Sequence, residues 1–469
     1  MTNECTFQLN RKSVDLSQDD PTESLLRWLK RRRLAGTKEG CADGDCGACT
    51  VTLRETGADG RTRLTAVNSC LLPIGALPGR DVITVEGLSE AGQPLHPVQQ
   101  ALVDCAGSQC GYCTPGFVMS LFAGYYAGAL DDETTEGNLC RCTGYRPIRA
   151  ATAALAELER PQDAFAASLQ EPALPPRAVL GRYFSPLAIA EALALKAQHP
   201  DAVWIAGATD LGVELSHGKP VADAFIALDR IRELQELDVG SDQVRIGAGL
   251  PLSRIESELA GVFPALDQML PWFAARQVRN RATLGGNLGT ASPIGDLLPV
   301  LLALDAVVHL RGAQGAREVA IADFFLDYRK TARAADELVV AVSLPRVPAA
   351  AGAPFGLRMS ASYKVAKRQT DDISIVAAAF DVATDNDLRV TRARLAYGGV
   401  AAIPRRATRV EAFLSGRVLD AATVEQAQIL LREEFQPLSD HRAGADYRRA
   451  LCANLFAKFI AAHLPGADA

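Results

Sequence analysis

The sequence predicts a multi-domain α+β chain, and three observations predict it. Ten of the eleven cysteines fall within the first 142 residues. Within that stretch the polarity pattern changes from strand-like alternation to helical stripes. From Tyr183 onward, short apolar strands alternate with helices and Gly-rich turns. A chain of 469 residues has room for about three domains at roughly 100–200 residues each.

Residues 1–88 read as a small β-rich domain. Thr6 to Asn10 and Ser13 to Leu16 alternate in polarity, with Asn10-Arg11-Lys12 as the turn between two strands. Asp20 then reads as an N-cap, with Pro21 at the first helical position and Glu23 closing a capping box. Leu25, Leu26 and Leu29 give that helix its apolar face. A Gly- and Cys-rich loop, Gly36 to Cys49, leads into a strand at Thr50–Leu53. Residues 89–160 read as helical, because Pro97, Pro115 and Pro147 each stand where a helix can begin. Val98, Ala101 and Leu102 make one apolar stripe. Val118, Leu121, Phe122 and Tyr125 make a second, and Ile148, Ala151, Thr152, Leu155 and Leu158 a third. Residues 161–180 form a linker, where Pro161, Pro172, Pro175 and Pro176 interrupt any helix. A strand–helix domain follows at 181–347. The Pro/Ala/Gly stretch from Pro345 to Pro354 separates it from a C-terminal α+β domain at 355–465.

Composition narrows the function. Hydrophobic residues make up 48% and charged residues 22%, enough to build several cores. A net charge of -6 argues against a nucleic-acid partner. No apolar run reaches the roughly 18 residues needed to span a bilayer. The N-terminus lacks the apolar core of a signal peptide, and Arg31-Arg32-Arg33 reads as a solvated helix end. A secreted disulfide framework would come with a leader and a small domain. The cysteines therefore read as metal ligands in a reducing, cytoplasmic compartment.

They fall into two constellations. Cys41-x4-Cys46-x2-Cys49, followed by Cys70, has the plant-type [2Fe–2S] spacing. Four thiolates must converge on one small volume, three from a tight loop and one from a neighbouring segment. Gly40, Gly44 and Gly47 let the backbone bend close enough for N–H groups to reach the sulfurs. Zinc sites favour two C-x2-C knuckles, and here the first is stretched. The second set, Cys110-x2-Cys113 with Cys140-x-Cys142, is less specific by spacing, and a zinc site remains an alternative for it. Thr114-Pro115 and Tyr145-Pro147 read as helix starts, whose partial positive charge would suit an anionic cluster. Cys5, Cys105 and Cys452 read as buried or incidental thiols.

A third signal lies beyond residue 200. Val203-Trp204-Ile205-Ala206 is an apolar strand, and Gly207-Ala208-Thr209-Asp210-Leu211 turns from it into a helix. That arrangement makes a natural pyrophosphate site. Thr283 to Pro293 (TLGGNLGTASP) concentrates glycine, Asn and hydroxyls, which is costly in conformational entropy unless backbone amides grip a phosphate. Asp296 follows and can accept hydrogen bonds from ribose or adenine. Two ordinary glycine turns remain the alternative. There is no G-x-G-x-x-G, so this is not a Rossmann fingerprint.

The motifs EGCADGDCGACTV, QCGYCTPGFVMS and NLCRCTGYRPI, in this order, resemble the iron–sulfur half of the molybdenum hydroxylases, the xanthine dehydrogenase and aldehyde oxidase family. The resemblance implies a β-grasp plant-type ferredoxin domain at 1–88 and a four-helix [2Fe–2S] domain at 89–160. It also implies a vanillyl-alcohol oxidase-type FAD-binding domain at 181–347 and a CO dehydrogenase flavoprotein-like domain at 355–465. Cys41, Cys46, Cys49 and Cys70 would hold one [2Fe–2S] cluster, and Cys110, Cys113, Cys140 and Cys142 the other. Gln109 would sit near a molybdopterin on a neighbouring domain. FAD would be held by Trp204, Ile205, Ala206, Gly207, Ala208, Thr209, Asp210 and Leu211, and by Thr283, Leu284, Gly285, Gly286 and Asn287. Phe273 would pack near the isoalloxazine beside Trp272, with Asp296, Val339 and Lys364 completing the contacts. Ala208 stands where the family often has a third glycine. Val365 to Ser374, with Arg368, Asp371 and Asp372, matches a loop that affects NAD access.

Nothing in the chain resembles a molybdopterin domain, so the expectation is a separate large subunit carrying it, in an α2β2 complex. Electrons from hydroxylation of hypoxanthine or xanthine would pass through the Cys110 set, then the Cys41 set, then FAD, to NAD+. This chain would hold no catalytic acid or base of its own. One rival is the same module serving an aldehyde- or N-heterocycle-oxidising enzyme. A second is a zinc-binding structural protein with a degenerate flavin fold.

Overall fold

The computed structural model describes residues 5–89, 92–159, 162–346, 356–368 and 371–464. Pro161 of the expected linker and most of the Pro345–Pro354 separator lie outside them. By packing, the chain divides into two compact units. The first runs to Glu236 and also takes Ala274–Thr283; the second takes Leu237–Phe273 and the residues from Leu284 on.

The first unit opens on β1 (Thr6–Leu9) and β2 (Lys12–Asp15), joined by a tight turn with Asn10 and Arg11 at positive φ. That twist suits a two-residue hairpin. α1 (Leu25–Arg31), β3 (Thr50–Thr56), β4 (Thr62–Asn68) and β5 (Asp81–Ile83) follow. The sheet order is β2-β1-β5-β3-β4, with β1 parallel to β5 and the other pairs antiparallel. Leu25, Trp28 and Leu29 of α1 share a core with Phe7, Leu9, Val51 and Leu53.

The start of α1 differs from expectation. Ser24 is the N-cap, accepting from Arg27 N–H, and Asp20 with Glu23 forms no capping box. Asp20 instead holds a turn through Thr22 N–H. The cause is backbone pairing: Gly75 N–H bonds Pro21 O, Ile74 N–H bonds Glu23 O, and Leu25 N–H bonds Leu72 O. Residues 21–24 are committed to that exchange and are unavailable for a helical turn.

Then come α2 (Pro97–Asp104), α3 (Thr114–Ala127), α4 (Arg146–Ala156) and the short α5 (Ala164–Ser168). Each proline marker stands at or one residue past a helix start. The stripes converge on one core with Phe117 and Phe165. Leu158 is the exception: α4 ends before it, and it is half exposed. The Pro-rich linker runs along the first domain, where the Arg54 guanidinium bonds Ser168 O and Glu171 O. β6 (Ala178–Leu180), β7 (Tyr183–Ser185), α6 (Ile189–Gln198), β8 (Val203–Ile205), α7 (Leu211–Ser216) and β9 (Phe225–Ala227) complete this part, with sheet order β6-β7-β9-β8. Tyr183, Ile205 and Phe225 enter the same core as β1 and β3. Asp229 is clamped there by Arg80 at 2.7 Å and Arg281 at 2.8 Å. Burial alone would raise its carboxyl, but the surrounding arginines hold it low.

The second unit contains β10 (Leu237–Val239), β11 (Gln243–Gly247), α8 (Leu252–Glu258) and α9 (Pro264–Met269); α10 (Arg276–Arg279) belongs to the first. α11 (Leu284–Thr290), α12 (Leu297–Ala303), β12 (Val307–Gly312), β13 (Gly315–Ala320), α13 (Ile321–Phe324), β14 (Phe325–Asp327), β15 (Lys330–Thr331) and β16 (Leu338–Pro345) follow. The antiparallel sheet order is β10-β11-β16-β12-β13. β17 (Arg358–Val365), β18 (Val376–Thr384), β19 (Val390–Gly398) and β20 (Arg405–Arg406) form a second antiparallel sheet. α14 (Thr408–Leu414), α15 (Ala421–Glu434) and α16 (Ala445–His463) pack on it around Phe380, Tyr397 and Phe456.

Candidate functional site

The first cysteine set converges. Cys49 Sγ and Cys70 Sγ lie 3.4 Å apart and are almost fully buried. Cys41 N–H reaches Cys46 Sγ at 3.3 Å, while Cys46 N–H and Asp43 N–H reach Cys41 Sγ at 3.3 and 3.4 Å. Glycine is required here sterically: a Cβ on Gly40 would stand 2.5 Å from Cys46 Sγ. Ala42, Gly44 and Gly47 take positive φ, winding the loop around the sulfurs. The Cys46 thiol and these backbone donors, against burial, bring Cys41 down to about 5, and the same pairing pushes Cys46 up. Cys70 likewise holds Cys49 low and is itself pushed up. Thiols this close share protons pairwise; all four ionise together only around a cationic centre such as an iron–sulfur core.

The second set also converges. Cys110 Sγ and Cys142 Sγ are 3.5 Å apart at the surface. Cys140 is buried, and burial would raise its thiol. The Thr143 hydroxyl at 3.1 Å and the N–H groups of Thr143 and Cys142 more than offset that. Burial pushes Cys113 up to about 12. Cys113 is the residue before α3, and α4 begins four residues after Cys142. Two helix starts thus flank the site, as an anionic cluster favours. Gln109 is exposed beside Cys110.

A close crossing joins the two sets. Leu139 N–H bonds Cys46 O at 3.0 Å, so one hydrogen bond separates the residue before Cys140 from Cys46. A Cβ on Gly116 of α3 would stand 2.2 Å from Gly47 O, and one on Gly47 would stand 2.1 Å from Gly137 O. Asn138 clamps the crossing. It donates to Gly47 O at 3.0 Å and Thr50 Oγ1 at 3.3 Å, and accepts from Ser120 at 2.7 Å and Gln277 at 3.1 Å. Sequence reasoning missed Asn138, Ser120 and Gln277. The available signal was that Asn138 opens the cysteine motif NLCRCTGYRPI and Ser120 closes QCGYCTPGFVMS.

The residues assigned to FAD fall in both units. In the first, β8 leads through a turn into α7. A Cβ on Gly207 would meet Arg281 O at 1.8 Å, and Ala208 takes φ 65 in the left-handed region. That conformation costs about 1–2 kcal/mol for a residue with a side chain, which is the physical content of the missing glycine. Trp204 Nε1 is buried without a hydrogen-bond partner. Thr283 is buried, and Asp210 stands at the start of α7. The inner cysteine site abuts this element: Cys49, Cys70 and Leu71 pack with Val213 and Val278. A Cβ on Gly212 would stand 2.3 Å from Leu71 O.

In the second unit, Leu284 to Asn287 open helix α11 rather than forming a turn. Gly285 is needed where α11 meets β11: its N–H bonds Ala248 O at 2.9 Å, and a Cβ would stand 2.7 Å from the Ala248 methyl. Asn287 Oδ1 is buried and unpartnered. Asp296 is buried as well, its carboxyl raised by burial against the pull of Lys364 and Ser374. Lys364 Nζ lies 2.7 Å from Asp296 and 2.8 Å from Trp272 O, and Ser374 bonds the other carboxylate oxygen. Asp296 is therefore already engaged by its own unit. Phe273 is half-buried after Trp272, and Val339 is buried on β16. Within the first unit, the Gly207 crossing and the orphaned indole N–H of Trp204 fit part of a bound flavin nucleotide.

Two cysteine nests joined at one hydrogen bond, with a strand–turn–helix packed on the inner nest, define an iron–sulfur flavoprotein module. Comparisons with known proteins agree. Four family models match along the chain: a 2Fe-2S iron-sulfur cluster binding domain at 7–74, a [2Fe-2S] binding domain at 84–153, an FAD binding domain in molybdopterin dehydrogenase at 178–347 and a CO dehydrogenase flavoprotein C-terminal domain at 361–463. The chain belongs to the molybdenum hydroxylase family, as its iron–sulfur and FAD region. Xanthine dehydrogenase of Emericella nidulans is 33% identical over 97% of this chain, and that of Oryza sativa 32% over 93%. This chain spans 38% of the length of each of those relatives. Among solved structures, a chain of quinoline 2-oxidoreductase from Pseudomonas putida 86 is 28% identical with a TM-score of 0.55. A chain of carbon monoxide dehydrogenase from Hydrogenophaga pseudoflava is 27% identical with a TM-score of 0.56. Each match covers 62% of this chain and 98% of the other. Among the described residues no helix is long and apolar enough to cross a membrane.

Proposed function

We propose that this chain is the iron–sulfur/FAD electron-transfer part of a xanthine dehydrogenase. Its partner is a molybdopterin-bearing large subunit that hydroxylates hypoxanthine and xanthine to urate, in an α2β2 complex of the cytoplasm. When bound, the two clusters each carry one electron at a time, and FAD collects two for delivery to NAD+ as hydride. The chain's own residues position and insulate. Cys110, Cys113, Cys140 and Cys142 hold the surface cluster, where electrons arrive. The Leu139–Cys46 hydrogen bond and the Asn138 clamp fix its distance to Cys41, Cys46, Cys49 and Cys70. Leu71 sets that inner site against Trp204–Leu211, proposed with Thr283–Asn287, Phe273, Asp296, Val339 and Lys364 to hold FAD. No side chain here acts as a catalytic acid or base.

The observation carrying the substrate assignment is coverage. Relatives named xanthine dehydrogenase match 93–97% of this chain. The matched quinoline and carbon monoxide chains match 62% of it. A second reading, oxidation of an N-heterocycle, rests on the quinoline 2-oxidoreductase match. The test is anaerobic addition of xanthine, or of quinoline, to the complex purified with its large subunit. Bleaching of both iron–sulfur and flavin bands by xanthine supports the first reading. Bleaching by quinoline alone replaces it with the second.

A further inference from the structure

The inner cysteine site is enclosed at one end and open at the other. Cys49 and Cys70 are buried, but Cys41 and Cys46 are only partly so, and Gly40 and Asp45 are exposed. The segment leading into Cys41 is held lightly. Gly36 N–H donates to Glu86 Oε1 at 2.9 Å, and Lys38 N–H donates to Ala48 O at 3.2 Å. Lys30 pairs with the Glu39 carboxylate at the surface, where such pairs contribute little. A further contact comes from the helical domain. Tyr112, between Cys110 and Cys113 of the outer site, donates its hydroxyl to Glu39 O, two residues before Cys41. The Tyr112 ring is half exposed, so the hydroxyl rather than ring burial fixes it there.

The same residue is tied to the outer site. Gly111 turns the knuckle at φ 80, and the N–H of Tyr112 bonds Cys110 Sγ. Its backbone is thus set by an outer ligand and its side chain by a carbonyl of the inner loop. The outer site therefore grips the inner loop twice. Its Cys140–Cys142 half does so through Leu139 N–H on Cys46 O, and its Cys110–Cys113 half through Tyr112 on Glu39 O. The two grips bracket the stretch from Cys41 to Cys46. We infer that the Tyr112 hydroxyl is a latch: it keeps the exposed end of the inner loop closed, and it holds only while the Cys110 knuckle is wound on its own cluster. Loss of iron from such a loop requires the loop to open locally. Removing one hydrogen bond that spans the opening raises the open population about fivefold. Tyr112 is a positioning residue, since it acts on the inner site through the backbone of Glu39. The inference rests on the reading of both cysteine sets as cluster sites, and not on the substrate.

The test uses the full chain loaded with its clusters and FAD. Wild type, Tyr112→Phe, Cys110→Ser and the double variant are exposed to the iron chelator bathophenanthroline. Aliquots are reduced with dithionite so that the EPR signal of each cluster is followed separately. Tyr112→Phe removes only the hydroxyl and should speed loss of the inner signal about fivefold. Hydrogen exchange of the Lys38 and Cys41 amides should rise by a similar factor. The thermal unfolding midpoint should stay where it is, which separates a latch from a general packing role. Cys110→Ser should speed inner loss at least as much, and adding Tyr112→Phe to it should change little further. Tyr328→Phe, on an exposed hairpin of the second unit, should behave as wild type. An inner signal as durable in Tyr112→Phe as in wild type overturns the latch. Additive effects in the double variant overturn its dependence on the outer knuckle. The iron content of the wild type is read separately. A single cluster per chain would sink the reading of the cysteine sets, whereas two clusters with unaltered loss in Tyr112→Phe sink the latch alone.

Discussion

The two cysteine sites solve the same coordination problem in opposite surroundings. Cys49 and Cys70 of the inner site are 2% and 1% exposed, whereas Cys110 and Cys142 of the outer site lie at the surface. The inner site is a wound loop in which glycines admit sulfurs and backbone donors at close range. The outer site is assembled from the starts of two helices and a short Cys-x-Cys turn. A centre enclosed by protein exchanges electrons only with its built-in neighbours. An exposed one can meet a partner. The difference bears on the direction of traffic: on the proposed function, the outer site is the port and the inner site is the relay toward the element proposed to hold FAD.

The strongest way to break this comparison is Cys110→Ser. It should remove about half of the iron and one of two EPR signals, and abolish flavin reduction by xanthine in the complex. Reduction of the flavin by NADH should survive, because it enters at the other end. Undiminished reduction by xanthine would show that electrons bypass the outer site.

Paired glycines sharpen the contrast in construction. In Gly40→Ala the new methyl meets Cys46 Sγ at 2.5 Å, so the inner cluster should be depleted while the outer signal persists. Gly144 lies beside the outer site, and a methyl there meets nothing within 4 Å. Gly144→Ala should cost only the left-handed strain, about 1–2 kcal/mol, with both signals retained. Loss of the outer signal in Gly144→Ala would show that site to be as tightly wound as the inner one.

Much of this architecture was legible in the sequence, for local reasons. Cysteine spacing encodes a loop that must close on one centre, and Pro97, Pro115 and Pro147 mark helix starts because they suit a first turn. The order of the domains came from motif resemblance. What was illegible depended on partners distant in sequence. Asp20 reads as a cap until Leu72 to Gly75 claim the adjoining backbone. Leu284–Asn287 reads as a glycine-rich phosphate grip, with an ordinary turn as the alternative, and that it opens α11 shows only once Ala248 is found packed on Gly285. Asp296 reads as a free acceptor until Lys364 and Ser374 are found on it. Asn138 lies in the motif NLCRCTGYRPI, but the motif does not reveal its clamp role, which is defined by Gly47, Thr50, Ser120 and Gln277.

That junction gives the next test. Asn138→Ala removes four hydrogen bonds, while Gly47 O keeps those from Thr50 N–H at 3.1 Å and Thr50 Oγ1 at 2.6 Å. The expected loss is about 3–4 kcal/mol, read as a lower thermal unfolding midpoint. Both clusters should still assemble, but rapid-freeze EPR should show slower reduction of the inner one after the outer. Equal rates would mean that the Leu139–Cys46 contact persists without its clamp.

The smallest effect separates the two sites by acid. His96 caps α2 in the outer domain: its Nδ1 accepts from Val98 N–H at 3.2 Å, so Nε2 carries the proton and donates to Tyr126 Oη at 2.9 Å. Tyr126 in turn donates to Asp163. Burial among Phe122 and Phe165 lowers His96 to about 4, outweighing the opposite pull of Asp163. A histidine whose folded pKa lies below its unfolded value binds its proton preferentially when unfolded. Its contribution to stability is therefore full above about 6.5 and falls as pH drops toward 4. Protonation also takes away the Nδ1 acceptor, leaving Val98 N–H without its cap. At pH 5 the helical domain should be on the order of 1–2 kcal/mol less stable than at pH 7, measured by hydrogen exchange of α2 and α3 amides. His96→Asn keeps a capping acceptor without the titration and should flatten that dependence. An unchanged slope in the variant would place the acid lability elsewhere, and acid would no longer distinguish the outer domain from the inner.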